Sequence, residues 1–205
     1  MKISYAITVH NELDSIRNLI PYLLKRIKNS DEIVVLMDDK GPESVWNFLI
    51  SIEHSLGCLN RLKFNDDFSE WKNKLNSMCS GDYIINIDAD ELPSGFLIEH
   101  IHDVLKLNKD IDLIAVPRIN MVSGITTDHI TQWNWKINEK GWINFPDYQM
   151  RIYRNDPSIK WINKVHEKID GYKTSSLLPM EEVWAFFHSK DIDIQEKQNK
   201  YYNEL

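Results

Sequence analysis

The sequence predicts an α/β protein built on a mostly parallel, twisted sheet, on three observations. Through residue 117, short apolar runs alternate with segments whose apolar residues recur at helical spacing. The second and fourth of these runs end directly in aspartates, at Asp38-Asp39 and at Asp88-Ala89-Asp90-Glu91. Beyond Pro117 the texture changes, and Trp133, Trp135, Trp142 and Trp161 crowd among short strand candidates.

Taken in order, Ile3–Val9 reads as a buried strand. Leu13, Ile16, Leu19, Ile20, Leu23, Leu24 and Ile27 then recur at helical spacing, with Pro21 inside the pattern predicting a kink. Residues 33–37 form a second apolar strand. Pro42 suits the first turn of the next helix and Gly57 its stop. A third strand is expected at 62–64 and a helix at 69–80, closed by Gly81. Residues 83–87 give a fourth strand, 96–107 an amphipathic helix and 111–116 a fifth strand. Further strands are expected at 149–154 and 183–187, and 191–205 reads as a polar surface helix or a frayed tail. The expected organisation is one domain, with a half spanning 1–117, a second half spanning 118–190, and the tail.

Composition bounds the function. The chain has 205 residues, 42% hydrophobic and 27% charged, and such a length hides roughly 70% of the unfolded surface. A formal net charge of −7 argues against a general nucleic-acid binder, which needs a basic face. It leaves room for a small anionic ligand, because a bound metal inverts the local field. Two cysteines, Cys58 and Cys79, are too few for a disulfide framework, and a cytoplasmic setting is expected. The first residues run straight into a strand pattern rather than a signal peptide. No apolar run approaches the ~20 residues of a membrane span.

The most informative residues are Asp88, Asp90 and Glu91. In an open α/β sheet, ligands bind outside the carboxyl ends of the strands. Two carboxylates two residues apart at such an end face one crevice, at a cost unless a cation or proton shares the site. A divalent ion with oxygen ligands, Mg²⁺ or Mn²⁺, bridging protein and diphosphate suits the pair. The plainer alternative is a solvated or helix-capping acidic loop, but Phe96 begins the next helix too far downstream for Asp88 to cap it. No calcium loop, Gly-x-x-x-x-Gly-Lys loop or Gly-x-Gly-x-x-Gly turn is present.

Over nearly its whole length the sequence resembles the GT-A glycosyltransferases, in particular short bacterial and viral members of the large inverting family 2. Ile7-Thr8-Val9-His10-Asn11-Glu12 is similar to the family's opening strand and turn, where base and ribose bind. Asp38-Asp39 is similar to the acidic position that contacts the base. The segment 68–81, containing Lys72, resembles the helix before the metal motif, and Asp88-Ala89-Asp90-Glu91 matches its Asp-x-Asp-Glu form. The segment from Pro146 through Asp147 and Arg151 to Arg154, with Trp161 and Val165-His166-Glu167 downstream, resembles a stretch of the short members. Two departures stand out: Lys72 replaces a more usual arginine, and no Glu-Asp pair follows the fifth strand.

The resemblance implies a Rossmann-like α/β/α sandwich with a mixed C-terminal half, and roles for particular residues. Thr8, His10, Asn11, Glu12, Asp38, Asp39, Lys72, Asp88 and Arg151 are candidates for the donor, although Asn11 equally suits a helix cap. Arg151 and Arg154 either face a diphosphate or pair with acids on the surface. Asp90 is the first candidate for metal contact, with Asp88 beside it and His188 or His166 as a histidine ligand. Asp147 is the candidate base, Glu167 the fallback, and Glu91 either binds an acceptor hydroxyl or orients the turn. Trp133, Trp135 and Trp161 either stack on sugar rings or belong to the core. The expected activity is inverting transfer of a sugar from a nucleotide-diphosphate donor, UDP on family grounds, to a glycan or lipid-linked hydroxyl. A sugar nucleotidyltransferase and a non-catalytic nucleotide-sugar-binding module are the alternatives.

Overall fold

The computed structural model describes residues 1–204. Its first half alternates strands and helices: β1 (Ile3–Val9), α1 (Leu13–Leu24), β2 (Glu32–Asp38), α2 (Glu43–Ser51), β3 (Cys58–Leu62), α3 (Phe68–Asn76) and β4 (Tyr83–Asp88). A short β5 (Glu91–Pro93), α4 (Gly95–Leu107), β6 (Leu113–Val116), β7 (Arg118–Ser123) and α5 (Thr127–Gln132) follow. The chain then forms β8 (Gln149–Arg154), β9 (Lys160–Ile162), β10 (Lys168–Asp170), β11 (Ser175–Leu177), β12 (Phe186–Asp191) and α6 (Ile192–Glu204).

Seven strands make one sheet in the order β11-β6-β8-β4-β1-β2-β3. All neighbours are parallel except β8, which runs antiparallel to both β4 and β6. A second sheet, β5-β12-β7, gathers strands from distant parts of the chain, and β9 and β10 pair as a hairpin. The expected mixed second half is therefore present in both sheets.

Alternation along β1 explains the layers. Tyr5 and Ile7 face one side, where α1, α2 and α4 cover them with Ile16, Leu19, Ile20, Leu23, Val45, Leu49, Leu97 and Ile101. Ala6 faces the other, under Trp71 and Leu75 of α3 and Trp161 and Ile169 of the hairpin. Both faces are covered, so the central strands are largely apolar rather than alternating, with Ser4 of β1 and Asn86 of β4 as buried polar exceptions.

Several boundaries differ from expectation. α1 continues through Pro21 to Leu24 instead of reaching Ile27, and the Pro21 carbonyl accepts from the Lys25 N–H at 3.3 Å. α2 ends at Ser51, followed by a 3-10 turn at Glu53–Ser55, so Gly57 does not stop the helix. Gly57 instead lies against Glu32, where a Cβ would come within 2.6 Å of the Glu32 Cβ. The third strand is Cys58–Leu62 rather than 62–64, because it pairs with β2 from Val34 to Asp38. The last strand is Phe186–Asp191, and Glu182–Trp184 form a 3-10 turn where 183–187 predicted extension. The tail is helical from Ile192 to Glu204, while Leu205 lies outside the described residues. No helix among the described residues is long and apolar enough to cross a membrane.

Candidate active site

The parallel strands end together at one edge of the large sheet. Thr8 of β1 sits opposite Asp88 of β4 in register, and Val9 sits opposite Met37, one residue before Asp38. At this edge Asp38 is buried and its Oδ2 lies 3.0 Å from His10 Nδ1, while Oδ1 accepts from the Lys40 and Phe64 backbone N–H groups. The turn after β2 packs tightly on the turn after β1. A Cβ at Gly41 would fall 2.3 Å from the His10 carbonyl oxygen, a distance no side chain tolerates.

Glu12, not Asn11, is the N-cap residue of α1. Its carboxylate turns back to accept from the His10 and Asn11 N–H groups at 2.7 and 3.0 Å. Asn11 and Asp39 are exposed, and Asp39 is tied to β3 through its N–H on the Leu62 carbonyl. Thr8, His10, Asn11, Glu12, Asp38 and Asp39 thus lie along one edge of the sheet.

Asp88 emerges from β4 between two cations. Its Oδ2 accepts from Arg151 Nη2 at 2.5 Å, and its Oδ1 lies 3.3 Å from Lys72 Nζ. Burial raises the Asp88 pKa, but Arg151 and Lys72 outweigh it and hold the carboxyl well below the usual range. Lys72 comes from α3, is itself buried, and also pairs with Glu167 Oε1 at 2.7 Å. Its ammonium lies 4.5 Å from the centroid of the Trp161 ring.

Glu91 has no exposed side-chain area and belongs to β5, not to an open turn. Its Oε1 accepts from Arg151 at 2.6 Å and from Arg118 at 3.1 Å, and its Oε2 accepts from the Asp88 N–H at 3.3 Å. Glu91 thus ties the start of the turn to Arg118 and Arg151. Arg151 likewise lies beneath the carboxylates, with its cationic form favoured by Asp88 and Glu91 against the cost of burial. It shapes the crevice floor.

A second cluster extends across β7 and the start of β8. Asp147 Oδ2 accepts from Arg118 Nε and Nη2 at 2.9 and 2.7 Å and from Asn120 Nδ2 at 2.8 Å, while Oδ1 accepts from Gln149. Burial raises the Asp147 pKa, yet Arg118, Asn120 and Gln149 bring it below the ordinary value. Because the Asn120 amide nitrogen is committed to Asp147, its oxygen is left to accept, and it lies 2.8 Å from His188 Nδ1. His188 therefore carries its Nδ1 proton toward Asn120 and turns Nε2 toward Asp90 Oδ2, 3.3 Å away. The same oxygen lies 3.2 Å from Lys190 Nζ. Asp90 is held down to about 2: burial raises it, and His188 and Lys190 more than compensate.

The donor set fits a divalent ion at Asp90 and His188. Without an ion, both ring nitrogens of His188 face acceptors, Nδ1 the Asn120 oxygen and Nε2 Asp90 Oδ2. An ion that replaced the Nε2 proton would find the ring lone pair and the Asp90 oxygen facing each other. Among the described residues no group of three or more His, Cys, Asp or Glu could hold a metal ion by itself. Two protein donors with the balance from diphosphate oxygens is the usual manner of Mg²⁺ in phosphate sites.

Other candidates stand elsewhere. His166 is exposed in the loop between β9 and β10 with a left-handed backbone (φ 54°), next in sequence to Glu167, which pairs with Lys72. Trp161 is core: it is 4% exposed and donates from Nε1 to the Tyr153 hydroxyl, so it offers no open ring to a sugar. Arg154 pairs with Asp112 at the far end of β8, which settles the surface-pairing alternative for it. Trp133 and Trp135 stay half-exposed at the end of α5, 4.7 Å apart, with His129 stacked on Trp133.

Arg118, Asn120 and Lys190 escaped the sequence reading. Arg118 and Asn120 lie two apart on β7, as do His188 and Lys190 on β12, so each pair shares a strand face. That spacing was visible, but neither strand's boundaries were.

The profile of the family described as glycosyl transferase family 2 matches residues 4–164. The crystal structure of residues 1–349 of S. aureus TarS with UDP-GlcNAc superposes with a TM-score of 0.67 at 14% identity, covering 93% of this chain and 59% of that one. The same segment with UDP gives 0.64 at 14% identity, over 92% and 60%. A structure of S. aureus TarS of which this chain covers 37% gives 0.63 at 15% identity, over 92% of this chain. This chain thus spans about three-fifths of the TarS segment, and the two share the GT-A fold.

Proposed function

The chain belongs to glycosyl transferase family 2, and from that premise we propose that it moves a sugar from a nucleoside-diphosphate donor, UDP in the first instance, to a hydroxyl acceptor with inversion. One observation carries the reading: Asp88, Asp90 and His188 gather where the parallel strands end, with the buried Arg151 against Asp88. The complexes of TarS, which shares this fold, with UDP and UDP-GlcNAc add support for a nucleotide-sugar donor.

In this reading the half up to residue 117 binds the donor. Asp38 and His10 meet the base, and Thr8, Asn11 and Glu12 line its entry. Lys72, charge-paired and buried beside Asp88, faces the diphosphate. Asp90 and His188 hold Mn²⁺ or Mg²⁺, and when bound the ion supplies positive charge to the departing diphosphate. The half from 118 to 190 receives the acceptor, with Trp133 and Trp135 offering aromatic surface to a sugar ring.

Asp147 takes the acceptor proton. Arg118 and Asn120 fix its Oδ2, leaving Oδ1, with a single side-chain donor, as the accepting atom. The acceptor oxygen forms a bond to the anomeric carbon as the bond to the diphosphate breaks, and the diphosphate departs with the electron pair. Glu167, paired with Lys72, is the alternative proton acceptor. Asp88, Glu91 and Arg151 keep the floor charged and rigid.

UDP release from a panel of UDP-sugars tests this reading. Release that depends on Mn²⁺ and is lost in Asp90→Ala supports a transferase. Metal-dependent UDP binding with no turnover on any donor and acceptor would instead favour a binding module.

A further inference from the structure

His188 and Lys190 occupy alternate positions of β12, so both side chains leave the same face of the strand. The strand is fixed along its length by pairing with β7, where His188 faces Asn120 and Lys190 faces Val122. Both side chains converge on one atom, Asp90 Oδ2, at 3.3 and 3.2 Å. The Lys190 side chain is only 8% exposed, so its ammonium is held in the crevice and is not a solvated surface charge.

That arrangement puts a protein cation beside the oxygen that a divalent ion needs. An ion entering between Asp90 and His188 meets an ammonium already neutralising the carboxylate, and the two positive charges repel in a partly desolvated site. We propose that Lys190 is a resident counter-cation of Asp90, which weakens binding of the divalent ion alone and makes it depend on a nucleoside diphosphate. This rests on the proposed donor-binding reading. The diphosphate resolves the conflict in two ways: its oxygens complete the coordination of the ion, and its negative charge accommodates the displaced ammonium. Without the ion, the same ammonium offers the diphosphate a positive partner, so some nucleotide binding persists.

Mn²⁺ titration followed by the electron paramagnetic resonance signal of the free ion tests this without turnover. Wild type should bind Mn²⁺ weakly in the absence of nucleotide. Lys190→Met should bind it about tenfold more tightly or better, because the competing charge is gone. Lys190→Arg should resemble wild type, and Lys190→Gln, which stays polar, should follow Lys190→Met. Circular dichroism establishes which variants fold, and the Gln variant decides if the Met variant does not. In a second arm, calorimetric titration of UDP in EDTA should show binding to wild type that weakens about tenfold in the charge-removing variants. Equal Mn²⁺ affinity in wild type and the folded charge-removing variants would overturn the proposal, as would absence of Mn²⁺ binding in all of them. Failure of the donor reading looks different. UDP then binds no form of the protein, with or without metal, while the Mn²⁺ arm still reports the competition at Asp90.

Discussion

Arg151 Nη2 lies 2.6 Å from Glu91 Oε1 and 2.5 Å from Asp88 Oδ2, so one buried guanidinium joins a carboxylate with no exposed area to one that opens on the crevice. Removing one member of a buried ion pair leaves an uncompensated charge, at a cost of about 3–5 kcal/mol. Arg151→Met is expected to lose stability of that order in urea unfolding. Arg154→Met, three residues along the same strand but paired with Asp112 in a partly exposed position, should lose under ~1 kcal/mol. Equal losses would mean that Arg151 does not bear the floor.

Asp147 and Glu167 are separated by kinetics. Asp147→Asn should lower kcat by about 10²–10⁴ with donor affinity nearly unchanged, the range for loss of a general base. Glu167→Gln should act mainly on donor affinity, because its partner Lys72 also serves Asp88. The reverse pattern would move the base to Glu167. Since Arg118, Asn120 and Gln149 hold the Asp147 carboxyl below its usual range, it stays ionised throughout pH 5–8, and no limb of the rate profile in that window should belong to it.

Acid stability has a marker far from the crevice. Glu32 accepts from Lys2 Nζ at 2.7 Å, Ser4 Oγ at 2.6 Å and the Ser80 N–H at 2.7 Å. Burial raises its pKa, but these donors prevail and bring it from 4.5 to about 2. The folded value is depressed, so the contribution is complete above pH ~4.5 and disappears as pH falls toward ~2. Wild type should lose roughly 2–3 kcal/mol more than Glu32→Gln across that interval in urea titrations.

Gly41 offers a steric test of the edge where the base is proposed to bind. A methyl group there meets the His10 carbonyl at 2.3 Å and Met37 Cε at 2.7 Å, and the carbonyl is backbone that cannot swing aside. Gly41→Ala should separate the turns after β1 and β2, weakening UDP binding by about tenfold and costing roughly 1–3 kcal/mol of stability. Gly141→Ala, where a Cβ meets nothing within 4 Å, should leave UDP affinity intact. Its cost is confined to the positive φ of 78°.

The first half of the fold was legible because its central strands are largely apolar runs ending in polar residues. Ile33–Met37 followed by Asp38, and Tyr83–Ile87 followed by Asp88, announce both their burial and their carboxyl ends. The second half was not. Its small sheet draws β5, β7 and β12 from positions nearly 100 residues apart, and β5 is three residues long, so no local period reveals it. Glu91 therefore read as part of a loop, although it is among the most buried charged groups of the chain. Val183 and Trp184 read as strand because they are apolar, but Glu181 begins a tight turn that delays extension to Phe186. The cation partners of the carboxylates were hidden for the same reason: Arg118, Asn120 and Lys190 are informative only once their strands are aligned.

The antiparallel insertion of β8 dictates an order of assembly. β4 finds its outer neighbour only in Gln149–Arg154, and β6 is separated from β4 by that same strand. During synthesis, β1, β2, β3 and β4 can join as soon as they leave the ribosome, but the β4 flank stays open until more than sixty further residues have emerged. An open, apolar flank of that kind is a template for pairing with other chains, so nascent chains stopped before Gln149 are the aggregation-prone population, and closure by β8 ends that exposure.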